Sequence, residues 1–469
     1  MLSKRERVWF GLSALLPLVV WGLGWLSPAE LMGDDLVLIV DNEATWASAW
    51  TQDSYRAAGV EDAPPVVYRP VGVALLATLE GWLGTTSPIP YRVLAVVLHA
   101  LNAVLLALWL SGLGLSVVRS LIAAALWSVM PIHAEPLYWA AGLLDVMASS
   151  ALLAALVLAT RHSLSARLGA VGAWALALLL KETVLFGSIA LLFTMAYSPA
   201  EPEEAGEHAA RPPLGVIAVV GTLALAAWWT ARSLAGVEAP ESVPLHWTAL
   251  AASFGEAIIR SVGLGEIFRA GGAPLHGMTL VAGIALAATA WYAWQASRHP
   301  ARVMLPVLSL STIAVAQVLF GQSEVGFLVD PDRYFYLAVS FIPVTAVCAW
   351  NPPAENSARA TVAAAVIVSA LIAVWSWSAV ESRSNYASFE AMLTREIRIG
   401  RASAEVYFLR GVERMKNDDP CAAEMDFRFS FAMALDAEKR ERARKLGIDA
   451  LHACSDAKAE AVKSKQGDR

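Results

Sequence analysis

The residues in this chain best suited to chemistry are two adjacent aspartates, Asp34 and Asp35, three basic groups, Arg69, Lys181 and Arg333, and the partners His133, Glu135 and Glu182. One of two neighbouring carboxylates can accept the proton of an attacking hydroxyl. The other can orient the acceptor or hold a divalent cation through oxygen ligands. The basic groups suit a phosphate: arginine clamps it with two parallel hydrogen bonds, and lysine offers a point charge. Each residue also has a plain structural reading. Asp34 and Asp35 can cap a helix with a charge to spare. Lys181 and Glu182 can be interfacial ions; adjacent helical residues do not face each other, so each needs its own partner. Asp330 and Asp332, separated by a proline, are a poorer acidic pair.

Apolar helices must position these groups. A membrane-crossing helix needs about 20 mainly apolar residues. Residues 8–29, 93–118, 212–231, 303–323, 334–354 and 360–380 contain no charge, and shorter clean runs lie at 120–134, 146–160, 168–180, 183–200 and 277–297. These runs predict an all-α polytopic membrane protein of about eleven spans, starting near residues 8, 92, 118, 142, 168, 183, 213, 277, 302, 334 and 359. The first run is too long for the apolar core of a signal peptide and no small-x-small cleavage site closes it, so it is expected to be a retained helix.

Lys4, Arg5 and Arg7 precede the first helix, and Arg119, Arg161, Arg167, Arg211, Arg298, Arg302 and Arg359 fall in the even-numbered connections. Positive charge in short loops marks the cytoplasmic side. The N-terminus is then inside, and the tail and two long loops, 28–91 and 232–276, are outside. All eight chemical residues fall at the outer membrane boundary. Ionisable groups there are costly, and they mark function by default. Carboxylates with basic groups at that depth point to a lipid-phosphate substrate.

Composition narrows the alternatives. The chain has 469 residues, 57% of them hydrophobic and 16% charged, with a mean hydropathy of +0.53. Soluble globular domains carry about 25% charge, and disordered chains lack the apolar surface present here. A net charge of −6 argues against a nucleic-acid binder. Three cysteines do not make a disulfide scaffold. There is no Walker-type phosphate loop, no H-E-x-x-H and no G-x-S-x-G. His133 and Glu135 are too few for a zinc site. No metal ligand set is assigned, and a divalent cation at the acidic pair stays open. Trp127, Tyr138, Trp139, Trp228 and Trp229 fit an interfacial aromatic belt better than a sugar-stacking platform.

Several motifs in order, GDDLVLIVDN at 33–42, YRP at 68–70, HALN at 99–102, MPIHAEPLYWAAGLLDV at 130–146, KET at 181–183 and DRYFYLA at 332–338, resemble the transmembrane and tetratricopeptide-repeat O-mannosyltransferases. More broadly they resemble GT-C type membrane glycosyltransferases that use polyprenyl-phosphate sugars. The resemblance covers roughly residues 8–350. It implies that Asp34 and Asp35 are catalytic and that a sugar moves with inversion from a lipid-phosphate donor to an acceptor hydroxyl on a glycan or protein. The departing phosphate calls for nearby positive charge. Arg69, Lys181 and Arg333 are the candidates, with His133 as a further donor and Glu135 and Glu182 orienting the basic groups. The competing reading is a non-enzymatic lipid-linked sugar flippase or transporter. Such proteins often show internal repeats and midplane charges, whereas here the charges gather at one boundary.

The division expected is a membrane domain over 1–380 and a helical tail over 381–469. The tail holds 17 Lys and Arg against 18 in the preceding 380 residues. Within it, 404–436 fit one tetratricopeptide-like unit through Tyr407, Gly411, Ala423 and Phe427. Family members in animals carry a long repeat array there; this chain does not. A lone repeat cannot bury its own face and needs neighbours. The use of 8 Lys against 27 Arg, with abundant Ala, Leu, Val and Gly, suggests a GC-rich bacterial gene, hence an inner-membrane protein with a periplasmic tail. Disulfides persist in that compartment. Cys421 opens one expected helix and Cys454 nearly closes the next, so an antiparallel pair would bring them within bonding reach. Cys348 lies inside a span and is expected to stay free.

Overall fold

The computed structural model describes residues 4–23, 29–32, 35–60, 67–84, 87–197, 214–237, 333, 335–349, 357–398, 403–434 and 436–467, with four isolated positions between 303 and 310. Every regular element among them is helical. The chain divides into two compact units, one of residues 1–27, 31–323 and 331–383, the other of 384–469 with 28–30 and 324–330.

In the first unit the N-terminal run breaks into α1 (Lys4–Leu12) and α2 (Leu15–Gly22). The single helix expected from residue 8 is interrupted where the Ser13 hydroxyl donates to the Phe10 carbonyl. The 28–91 segment also departs from expectation. It is not a loop but carries α3 (Trp46–Thr51), α4 (Ser54–Ala57) and α5 (Pro70–Leu83). Thr45 and Ser48 start α3 with a reciprocal capping box, Asp53 caps α4, and Pro70 opens α5 at the position where a missing N–H costs nothing. These short polar signals hide in a run too interrupted to read as a span.

Next come α6 (Ile89–Gly112), α7 (Val117–Ser128), α8 (Ala134–Tyr138), α9 (Leu143–Ala159), α10 (Leu164–Leu180), α11 (Gly187–Tyr197) and α12 (Leu214–Leu234). The expected third span stops at Ser128. Pro131 then starts a 3₁₀ turn, and α7 and the 131–138 segment meet at a bend of 55°. After residue 333 come α13 (Phe341–Ala349) and α14 (Ser357–Ser382). Among the described residues four helices are long and apolar enough to cross a membrane, five with the bent pair taken as one. The expected span from 277, nearly all of that from 302, and the 238–276 part of the second long loop lie outside the described residues.

The second unit stacks α15 (Phe389–Arg398), α16 (Ala404–Lys416), α17 (Pro420–Met433) and α18 (Ala437–Gly467) in chain order. Its core is small: Phe408, Ala423, Phe427, Ala443 and Ala450. Gly411 lets α16 approach α17, since a Cβ there would meet the Phe427 ring at 2.9 Å. A disulfide joins Cys421 to Cys454 with Cα atoms 4.8 Å apart. Cys348 is a buried free thiol. The last helix runs past residue 455, where the sequence pattern fades, to Gly467.

Candidate functional site

The site is built where the ends of α9 and α10, the 131–142 turn, the start of α5 and the segment after Arg333 come together in the first unit. Gly72 makes this possible, because a Cβ there would stand 2.7 Å from the Leu180 carbonyl oxygen. With glycine, the first turn of α5 seats directly on the end of α10.

Asp35 is buried and both of its carboxylate oxygens take backbone donors. Oδ2 accepts from Met32 N–H at 3.0 Å and Oδ1 from Ala141 N–H at 2.6 Å. The Trp139 indole N–H donates to the Met32 carbonyl at 3.1 Å. The acidic segment is thereby fastened to the Trp139–Ala141 turn, 106 residues away in sequence. Asp35 does not cap the π-helical turn it precedes. Arg92, buried in the first turn of α6, donates through Nε to the Tyr138 carbonyl at 2.6 Å and interacts electrostatically with Asp35. Asp34 lies outside the described residues, as do Asp330 and Asp332.

Lys181 and Glu182 have separate partners. Lys181 ends α10 in an extended conformation, and its ammonium donates to Asp145 of α9. Glu182 accepts a two-pronged clamp from Arg69, Nε to Oε2 at 2.7 Å and Nη2 to Oε1 at 2.5 Å. The Arg69 backbone N–H is fixed in turn by the Ser54 hydroxyl at 2.7 Å. Arg333 meets Glu135: its N–H donates to Oε2 at 3.0 Å, its Nε lies 3.5 Å from Oε1, and its guanidinium covers the Trp139 ring at 4.5 Å. Both Arg69 and Arg333 act electrostatically on Lys181, so the three cations share one neighbourhood. Burial is the largest influence on Lys181 and pulls its pKa below the ordinary lysine value. Asp145 opposes that shift, and the two arginines add to it.

His133 does not sit as the expected donor. Its Nε2 is engaged with the Trp127 carbonyl at 2.8 Å, and its Nδ1 is buried with no hydrogen-bond partner among the described residues. With Nε2 donating, Nδ1 can only accept. The ring lies 4.8 Å from Tyr336 and 5.0 Å from His99. Tyr336 is bonded through its hydroxyl to His99 Nδ1 at 2.5 Å and Asn102 Nδ2 at 3.1 Å, and the Trp127 indole donates to its carbonyl at 3.1 Å. These contacts hold the segment that carries Arg333.

Sequence reasoning gave no individual role to Asp145 and Tyr336, though both lie in the quoted motifs, and none to Arg92 and Arg232. Asp145 had a signal, being a lone charge at the head of the clean 146–160 run. Arg232 had one too, as the charge that closes the 212–231 run; it is buried, lies 5.4 Å over Trp229 and interacts with Glu182 and Asp53. Among the described residues no group of three or more His, Cys, Asp and Glu is placed to hold a metal ion.

No family model, curated protein or solved structure matches this chain.

Proposed function

We propose that the protein is an integral membrane glycosyltransferase that moves a sugar, by a mannosyltransferase-like inverting displacement, from a polyprenyl-phosphate donor to an acceptor hydroxyl on a glycan or protein. The observation that supports this reading best is the gathering of Arg69, Lys181 and Arg333 in one neighbourhood, each already oriented by a carboxylate from a distant segment. Buried charge is costly. Three such pairs next to a fastened acidic segment suit a site prepared for an anion and a proton transfer.

In this reading the acceptor oxygen attacks the anomeric carbon. The bond from that carbon to the phosphate oxygen breaks, and its electron pair leaves on the phosphate. The hydroxyl proton goes to Asp34. Asp35 anchors the loop, each of its oxygens accepting a backbone N–H. Arg69, Lys181 and Arg333 stabilise the charge that grows on the leaving phosphate. Glu182, Asp145 and Glu135 hold them in place. His133 supports the Tyr336 segment, and a divalent cation is not required by these roles.

The same reading carries about eleven spans, a cytoplasmic N-terminus, a site on the outer face of a bacterial inner membrane and a periplasmic tail whose 404–436 helix pair is tetratricopeptide-like. The test is transfer from a labelled polyprenyl-phosphate sugar by the full chain in lipid vesicles. Loss of transfer in Asp34→Asn, with donor binding retained, supports the assignment. Transfer at the parent rate in that variant would overturn it, and movement of the donor across the bilayer without transfer would favour transport instead.

A further inference from the structure

One helix of the second unit carries an exposed apolar stripe beside the face it buries. Helix α17 buries Ala423 and Phe427 toward the unit's core. Beside that face runs a stripe of Met425, Phe429 and Met433 at i, i+4 and i+8, exposed by 57%, 48% and 43%. Tyr407 of α16 stacks on Phe429 at 5.0 Å, which widens the stripe. Arg428, 71% exposed and paired with Glu424, flanks it. The stripe is therefore a narrow apolar face rimmed by charge, the pattern of a helix that lies at an interface between apolar and polar surroundings.

The chain itself says what those surroundings are. Helix α14 is long and apolar enough to cross a membrane and ends at Ser382, and α15 begins at Phe389. Six residues therefore join α15 to the end of a spanning helix, a reach of about 20 Å at full extension. Its longest helix, α18, has 31 residues and is about 46 Å long, so the unit stays within roughly that reach of the bilayer surface. A second copy of the chain is a poorer occupant. Three half-exposed side chains offer on the order of 300 Å², short of the roughly 800 Å² per partner of a standard interface. Inserted methionine and phenylalanine with tyrosine and arginine at headgroup depth is the chemistry of interfacial binding.

We propose that Met425, Phe429 and Met433 form a membrane anchor, the face by which the tail seats on lipid. The proposal is independent of glycosyl transfer and stands if that reading fails. The probe is p-benzoylphenylalanine, placed at Met425 and at Phe429 in turn in the full chain, reconstituted in phospholipid vesicles and irradiated. Exposed Val374 in α14 serves as the lipid-facing reference and Glu441, whose side chain is 63% exposed, as the aqueous one. Mass spectrometry should find lipid adducts at 425, 429 and 374 and none at 441. Adducts at 374 alone would overturn the proposal. So would adducts from 425 and 429 to a second copy, or to another part of the same chain, in place of lipid.

Discussion

The two units bury charge in opposite ways. In the first, the ion pairs among the described residues join Lys181 to Asp145, Arg69 to Glu182 and Arg333 to Glu135, partners 36, 113 and 198 residues apart in the chain. In the second, Asp426 is shared. It accepts two hydrogen bonds from Arg410, at 2.9 and 2.7 Å, and one from Arg414 at 3.1 Å, while Arg414 also reaches Glu390 at 2.8 Å. Those partners sit on consecutive helices, 12 to 24 residues apart. Shared charge braces a structure, because losing one arm leaves another. One-to-one charge in an apolar setting leaves a bare ion when broken. Sharing suits the small tail with its few core residues, and pairing suits a unit in which each cation is held in one place.

The sharpest break of this contrast is at the acidic pair. Asp34→Asn is expected to cut transfer by about 10²–10⁴-fold, the usual worth of a positioned base, with the unfolding temperature unchanged. Asp35→Asn should cut transfer and also loosen the loop, because one of its two acceptor oxygens becomes a donor. Hydrogen exchange at 139–141 reads that second effect; unchanged exchange would remove the anchoring role.

Lys181→Met should cost about 3–5 kcal/mol of stability by stranding buried Asp145, and adding Asp145→Leu should restore most of it. Equal thermal unfolding of the single and double variants would erase the distinction between paired and shared charge. The pH dependence sharpens the same point. The folded-state pKa of Lys181 is lowered, so its charge, and with it donor affinity, is lost as pH rises through a range below that of an ordinary lysine. Lys181→Arg should move that loss to higher pH, read by donor titration in alkaline buffer.

In the tail, replacing Cys421 and Cys454 with serine should cost about 3–4 kcal/mol by the chain-entropy relation for a loop of this size. Amide exchange should rise in α17 and α18 and stay level in α6 and α9. The smallest effect is expected for Arg410→Ala, about 1.5–3 kcal/mol, because Arg414 still holds Asp426. A loss as large as that of Lys181→Met would mean that the tail network is not shared.

How much of this was legible beforehand follows from the range of each interaction. Composition and uninterrupted apolar runs specify helices that cross a membrane, because burying backbone polar groups in lipid leaves few other choices. The short helices α3, α4 and α5 were missed, since their caps and starting proline sit among residues that satisfy neither a span nor a soluble helix pattern. The tail helices were readable from local periodicity, and the cysteine pair was named from compartment and helix order alone.

Residue types also marked Arg69, Lys181, Glu182, Glu135 and Arg333 as chemically able, because an ionisable group at the edge of an apolar run is expensive wherever the chain leads it. Their pairing was not readable. That Glu182 pairs with Arg69 and Lys181 with Asp145, that both oxygens of Asp35 accept backbone donors, and that His133 faces Tyr336 and His99 depend on helix ends meeting across more than a hundred residues of chain in most cases. The sequence by itself determined which charges had to find partners. Only the tertiary structure decided which partners they found, because packing at Gly72, at the bend after Ser128 and at Trp139 sets the distances over which hydrogen bonds and ion pairs act.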